Sequence, residues 1–248
     1  MNLIIDIGNT NVKLAVFSQE EMLYLIRVKH FQVVSEIKLL AEKFEIQQAI
    51  ISQVGTEIAF LKDFLKEKKI KFMLLTSDLI LPFGIKYKTP KTIGADRLAL
   101  VAGAILKQPD TNKLIIDAGT CITYDFVDNK NSYFGGAISP GLYLRYKSLN
   151  DYTANLPRLH IPASKIDLIG TDTKSSIQSG VVNGTLNEIE TFIVKYSLKY
   201  KDLTVFLTGG DEKVFAKYVK NKIFANSKFI LLEGMNYILN LNIQTDES

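Results

Sequence analysis

One cysteine, Cys121, stands in 248 residues, so no intramolecular disulfide can form and a reducing compartment suits the chain. Cys121 itself reads as a small buried apolar residue in a strand-like run. Only two histidines occur, His30 and His160, and neither lies in a cluster with ligand spacing. Metal-hydrolase and Ser-His-Asp chemistry are therefore poorly supplied, and His160, in PRLHIP, reads as structural. No apolar run approaches the length of a bilayer span, and no basic n-region with a cleavage site opens the chain. The expectation is a soluble, cytoplasmic protein without a membrane partner. Also missing are a G-x-x-x-x-G-K-[ST] loop and a G-x-G-x-x-G turn after a strand. A nucleotide, if bound, must be held in another way.

Hydrophobic residues make up 47% and charged residues 23%, the composition of an ordinary globular protein. The length suits one large domain or two smaller ones. The net charge is +4, but the lysines are spread. Their densest run, KDFLKEKKIKF (62–72), reads as the solvated face of a surface helix, so no nucleic-acid partner is expected.

The most informative feature is a repeat. LIIDIGNTNVKL at 3–14 returns as LIIDAGTCITYD at 114–125. Each copy is an apolar strand, an Asp-x-Gly turn and a second strand. The first copy continues with strand-like EMLYLIRV (21–28), a helix over 35–44, a strand at 49–54, a second helix and a strand at 71–76. The second continues with SYFGGAI (132–138), a long helix from about 173 to 199 and a strand at 203–210. A helix at 211–220 and the apolar run KFILL (228–232) close it. The long helix carries Ile177, Val181, Ile189, Ile193 and Tyr196 at the spacing of a buried face. We expect an α/β protein of two similar halves, 1–112 and 113–248, with their hairpins facing a cleft that suits a ligand at strand ends.

In the first turn, Gly8, Asn9, Thr10 and Asn11 are residues that tolerate tight turns, where successive N–H groups can form a nest for phosphate. Lys13 can reach the same region as a point charge, and Asp6 at the strand end suits hydrated magnesium. The second turn offers Asp117 and Thr120. Between the copies lies YKTPKTIGADR (87–97). Here Gly94 allows a turn, Asp96 begins a helix and Arg97 can grip a carboxylate bidentately. Two glycine-rich turns, GGAISPGL (135–142) and FLTGGD (206–211), are places where backbone can lie close to a ligand.

Taken in order, DIGNTNVK, TIGADR, DAGT, GGAISPGL, LP (156–157), GTDTKSSIQSG (170–180) and TGGD resemble a type III pantothenate kinase of the actin/hexokinase/heat-shock-ATPase superfamily. The resemblance covers nearly the whole chain. It implies two ribonuclease-H-like, actin-like ATPase halves and ATP-dependent phosphorylation of the primary hydroxyl of pantothenate. It also implies an ATP site over Asp6, Ile7, Gly8, Asn9, Thr10, Asn11, Val12 and Lys13, joined by Thr120. Magnesium would sit near Asp6, and a monovalent cation, potassium or ammonium, at Asp117. Pantothenate would meet Tyr87, Gly94, Ala95, Asp96 and Arg97, with Asp96 as proton acceptor, and Thr173 near the interface of a homodimer. Two positions depart from the family's pattern: Leu100 stands where Asn is frequent, and Cys121 where Ala is common.

Overall fold

The computed structural model describes residues 1–8, 11–53, 59–162, 166–216 and 228–246. The chain opens with β1 (Asn2–Ile7), β2 (Val12–Ser18) and β3 (Glu21–Val28), followed by α1 (Val33–Lys43) and β4 (Gln48–Gln53). Next come α2 (Ala59–Glu67), β5 (Lys71–Leu74), the short β6 (Gly84–Ile85) and α3 (Ala95–Lys107). The repeat starts with β7 (Asn112–Ala118), β8 (Cys121–Val127) and β9 (Ser132–Pro140). It runs on through α4 (Leu142–Asp151), α5 (Thr173–Lys199), β10 (Leu203–Thr208) and α6 (Glu212–Phe215), and the chain ends on α7 (Ile230–Asp246). Packing divides it into two units, Met1–Pro109 with Phe229–Ser248, and Asp110–Lys228.

In the first unit the sheet order is β3-β2-β1-β4-β5, with β1 antiparallel to β2 and parallel to β4. β1 reads as unbroken apolar sequence because both faces of the sheet are covered. Leu3, Ile5 and Ile7 pack with Ile37 and Leu40 of α1 and Leu61 and Leu65 of α2. Successive strand residues point to opposite faces, so Ile4 and Asp6 of β1, and Ile50 and Ser52 of β4, lie on the face against which α3 and α7 pack. The edge strand β3 alternates instead, exposing Glu21, Leu23, Leu25 and Arg27. Around α2 the lysine run is a solvated face, with Asp63, Lys66 and Lys68 outside and Leu61 and Leu65 inside.

α3 is buried from Arg97 through Ile105 because α7 lies directly on it. The two helices meet at glycines. A Cβ on Gly103 would stand 2.1 Å from the Ile230 carbonyl oxygen, and one on Gly234 1.9 Å from that of Ala99. Lys107 pairs with Glu233 at 2.7 Å, and Asn2 Nδ2 donates to Asn236 and Asn240 at 2.8 and 2.7 Å. The sequence expectation ran the second half through residue 248. The last helix belongs instead with the first unit, and Ile230–Leu232 of the KFILL run form its first turn.

Within the second unit the order is β9-β8-β7-β10, with β7 antiparallel to β8, β8 antiparallel to β9 and β7 parallel to β10. This repeats β3-β2-β1-β4 in order and sense, as two ribonuclease-H-like halves require. α5 covers the residues that the apolar spacing predicts, burying Ile177, Val181, Ile189 and Ile193. Its capping box is complete: Asp172 Oδ1 accepts from the Ser175 amide at 2.8 Å, and Ser175 Oγ accepts from the Asp172 amide at 3.1 Å. Of the helix expected at 211–220, Glu212–Phe215 is helical and residues 217–220 lie outside the described residues. Among the described residues no helix is long and apolar enough to cross a membrane.

Candidate active site

The first hairpin pairs Asp6 directly with Lys13 across β1 and β2. Lys13 Nζ donates to Asp6 Oδ2 at 2.9 Å, with the carboxylate side chain 10% exposed and the lysine 35%. The Gly8 amide donates to the Asn11 carbonyl at 3.2 Å and closes the turn. Asn9 and Thr10 lie outside the described residues. Ile7 and Val12 are buried flanking residues whose side chains belong to the core, so only their backbone is placed to meet a ligand. A second lysine reaches this turn: Lys29 Nζ donates to Asn11 Oδ1 at 2.9 Å. On the other side of Asp6, in the parallel strand β4, its register partner is Ser52.

At the start of α3, Gly94 is the N-cap, and the Arg97 and Leu98 amides donate to its carbonyl at 3.1 and 3.2 Å. Ala95 is the first helical residue. The Asp96 carboxylate turns back on the helix end, where Oδ1 accepts from the Arg97 amide at 2.8 Å. The backbone thereby fixes which way the carboxylate faces. A Cβ on Gly94 would fall 2.4 Å from that same oxygen, so any larger residue there displaces Asp96. Arg97 is 6% exposed, and its guanidinium carbon lies 5.9 Å from the ring centroid of Tyr87. This is cation–π range, and the ring limits the planes the guanidinium can adopt. Leu100 is buried on this helix. Tyr87 and Asp96 thus both meet Arg97 at the start of the helix, with Gly94 and Ala95 in the same turn and Arg97 itself buried.

The second hairpin repeats the first with different partners. Opposite Asp117 stands Thr123, and in the parallel strand β10 its register partner is Thr208. Backbone braces this turn from two sides. The Gly141 amide donates to the Thr120 carbonyl at 2.9 Å, and the Asp211 amide to the Ala118 carbonyl at 2.9 Å. Gly209 has φ +102°, and a Cβ there would stand 2.3 Å from the Ala118 carbonyl and 2.5 Å from Asp117 Oδ1. Both glycine-rich turns therefore lie close against the hairpin rather than reaching past it. Burial pushes the Asp211 carboxyl above its ordinary range.

GGAISPGL is anchored in turn by Arg145, whose Nε donates to the Pro140 carbonyl at 2.7 Å and whose Nη2 pairs with Glu188 of α5 at 2.5 Å. Tyr124 and Ser139 also donate to Glu188, at 2.9 and 2.5 Å. Burial alone would raise the Glu188 carboxyl; these hydrogen bonds outweigh it and hold the group below its usual range. Burial and Glu188 together hold the Tyr124 phenol well above its ordinary range.

Cys121 is a correction to the sequence reading, because it is exposed. It opens β8 immediately after the turn, opposite Pro140 at the end of β9. Thr120 is exposed beside it, and Thr173 is exposed in the first turn of α5. Among the described residues no three His, Cys, Asp or Glu side chains gather into a metal cage. A divalent ion at Asp6 would draw its other ligands from water and a bound anion, a donor set that fits magnesium. Asp117 would bring a carboxylate oxygen to a monovalent ion, a hard donor of the kind that suits potassium. The sequence reading missed Lys29 and Ser52, since no local pattern shows that either reaches the first hairpin.

The model of the type III pantothenate kinase family matches residues 2–195. A type III pantothenate kinase of Flavobacterium johnsoniae is 44% identical over 248 residues, which is 99% of this chain and 100% of that one. One from Christiangramia forsetii is 46% identical over 243 residues, covering 98% and 99%. Among solved structures, a Campylobacter jejuni protein assigned to the Baf family of transcriptional activators superposes with a TM-score of 0.63. It is 24% identical, with 98% of this chain and 99% of that one covered, and at that identity the likeness speaks to the fold alone.

Proposed function

The chain belongs to the type III pantothenate kinase family, and we propose that it transfers the γ-phosphoryl group of ATP to the primary hydroxyl of pantothenate. The product is 4′-phosphopantothenate, the first step toward coenzyme A. The observation that carries the reading is the α3 terminus, where Asp96 is oriented by the Arg97 amide and Arg97 is stacked near Tyr87. The same helix start thus holds a carboxylate that can accept a hydroxyl proton and a guanidinium that can grip the acid group of the same substrate.

Phosphoryl transfer passes through a loose transition state, so the protein contributes mainly positioning and charge neutralisation. Residues Asp6 through Lys13, with Thr120, bind the nucleotide, and Lys13 meets its phosphates. Magnesium held at Asp6 would neutralise the triphosphate. A monovalent cation at Asp117, potassium or ammonium, would supply in the second hairpin the charge that Lys13 supplies in the first. Arg97 and Tyr87 orient pantothenate beside Gly94 and Ala95, and the hydroxyl proton passes to Asp96 late in the transfer. We place the enzyme in the cytoplasm as a homodimer, with Thr173 contributing to substrate contact near the subunit boundary.

The test is pantothenate-dependent ADP release from magnesium-ATP, with phosphopantothenate identified as the product. Asp96→Asn should lower turnover by about 10²–10⁴-fold, the range of a lost general base, while nucleotide binding stays intact. A variant with near wild-type turnover would remove Asp96 from the role of base.

A further inference from the structure

The residue beside Asp6 that the mechanism leaves unused is Ser52. It is 0% exposed, and its hydroxyl is buried with no hydrogen-bond partner among the described residues. Burying a hydroxyl without a partner is unfavourable, and an alanine would fill nearly the same space without that cost. Ser52 ends the buried part of β4, in register with Asp6 of the adjacent parallel strand, and both lie on the face that carries α3. The carboxyl ends of such neighbouring strands, where the chain leaves β1 toward β2 and leaves β4 toward α2, are where open α/β sheets receive ligands. The repeat makes the same placement a second time. Asp117 has Thr208 as its parallel neighbour, 8% exposed. Each carboxylate hairpin therefore has a buried hydroxyl at its side, contributed by a strand far away in sequence.

We propose that Ser52 is a positioning residue for Asp6 that acts when nucleotide is bound. Asp6 Oδ2 is held by Lys13 at 2.9 Å. A triphosphate at the first hairpin competes for the Lys13 ammonium and draws it off the carboxylate. The Ser52 hydroxyl then donates to the released carboxylate oxygen and keeps Asp6 in the orientation that meets the magnesium-bearing nucleotide. Among the described residues the hydroxyl has no partner while Lys13 holds the carboxylate, and the bond forms when the freed Asp6 side chain turns toward it. This rests on the nucleotide site proposed above.

The experiment is magnesium-ATP binding by calorimetry in the absence of pantothenate, together with steady-state kinetics and thermal unfolding of the free protein. Ser52→Ala should weaken magnesium-ATP binding and raise the KM for ATP by about tenfold, the size of one hydrogen bond to a charged group. The KM for pantothenate should not move, and the free variant should unfold at the same temperature or higher. In an Asp6→Asn background the same substitution should change nothing further. Unchanged ATP affinity would overturn the proposal, as would an equal loss in the Asp6→Asn background or a fall in melting temperature that accompanies the loss. Should Ser52→Ala not fold, Ser52→Cys, similar in size and a weak donor, gives the same readings. A wild-type protein that binds magnesium-ATP but shows no pantothenate-dependent turnover would count against the acceptor assignment, and the Ser52 result would still be read from binding.

Discussion

The two hairpins share a strand, a turn and a carboxylate, yet they surround that carboxylate differently. Asp6 faces Lys13 and is held by it at 2.9 Å, whereas Asp117 faces Thr123, which brings no charge. The first turn is closed within the hairpin, by the Gly8 amide on Asn11. The second is closed in the same way, by the Gly119 amide on the Cys121 carbonyl at 3.0 Å, and is also braced from outside, by Gly141 and Asp211. Across from its carboxylate one hairpin thus carries a lysine and the other a threonine, and the monovalent cation proposed at Asp117 would bring to the second the positive charge that Lys13 brings to the first.

The sharpest way to break this contrast is to remove the lysine. Lys13→Met should cost about 10²–10³-fold in kcat/KM for ATP, the loss seen when one preorganised donor to developing charge is deleted, whereas Thr123→Val should cost less than tenfold. Equal effects from the two substitutions in steady-state kinetics would mean that the hairpins are not specialised. A smaller effect is expected from Gly209→Ala. At φ +102° the new methyl group is strained and points into the Ala118 carbonyl and Asp117 Oδ1, which should destabilise the protein by about 1–3 kcal/mol. Thermal unfolding checks that cost. A potassium titration of activity should show a raised activation constant, while the KM for ATP changes little.

Much of this was legible in the sequence because it is local. β1 and β7 are covered on both faces, so they read as continuous apolar runs, and the Asp-x-Gly turns stand out at their ends. α5 begins at Asp172 because Asp172 and Ser175 cap each other, a signal contained in four residues. What was not legible depends on contacts distant along the chain. α7 joins the first unit because Gly103 and Gly234 allow two helices to touch, and neither glycine announces its partner. The same holds for Ser52 beside Asp6 and Lys29 on Asn11, which are set by parallel register and by the path of β3. Cys121 was misread because a strand-like run was taken to be covered to its first residue, and β8 is not. The approach of Tyr87 to Arg97 followed from family resemblance, since the nine intervening positions carry no pattern that brings the two together.

Whether a solution cation does at the second hairpin what Lys13 does at the first is tested by transplanting the lysine. Turnover of wild-type protein and of Thr123→Lys should be compared in potassium and in sodium buffer at matched ionic strength. Wild-type turnover should require potassium, and Thr123→Lys, with its ammonium opposite Asp117, should turn over in sodium at a rate that potassium no longer changes. Wild-type turnover indifferent to the cation, or a variant that keeps the full potassium requirement, would contradict that role for the cation.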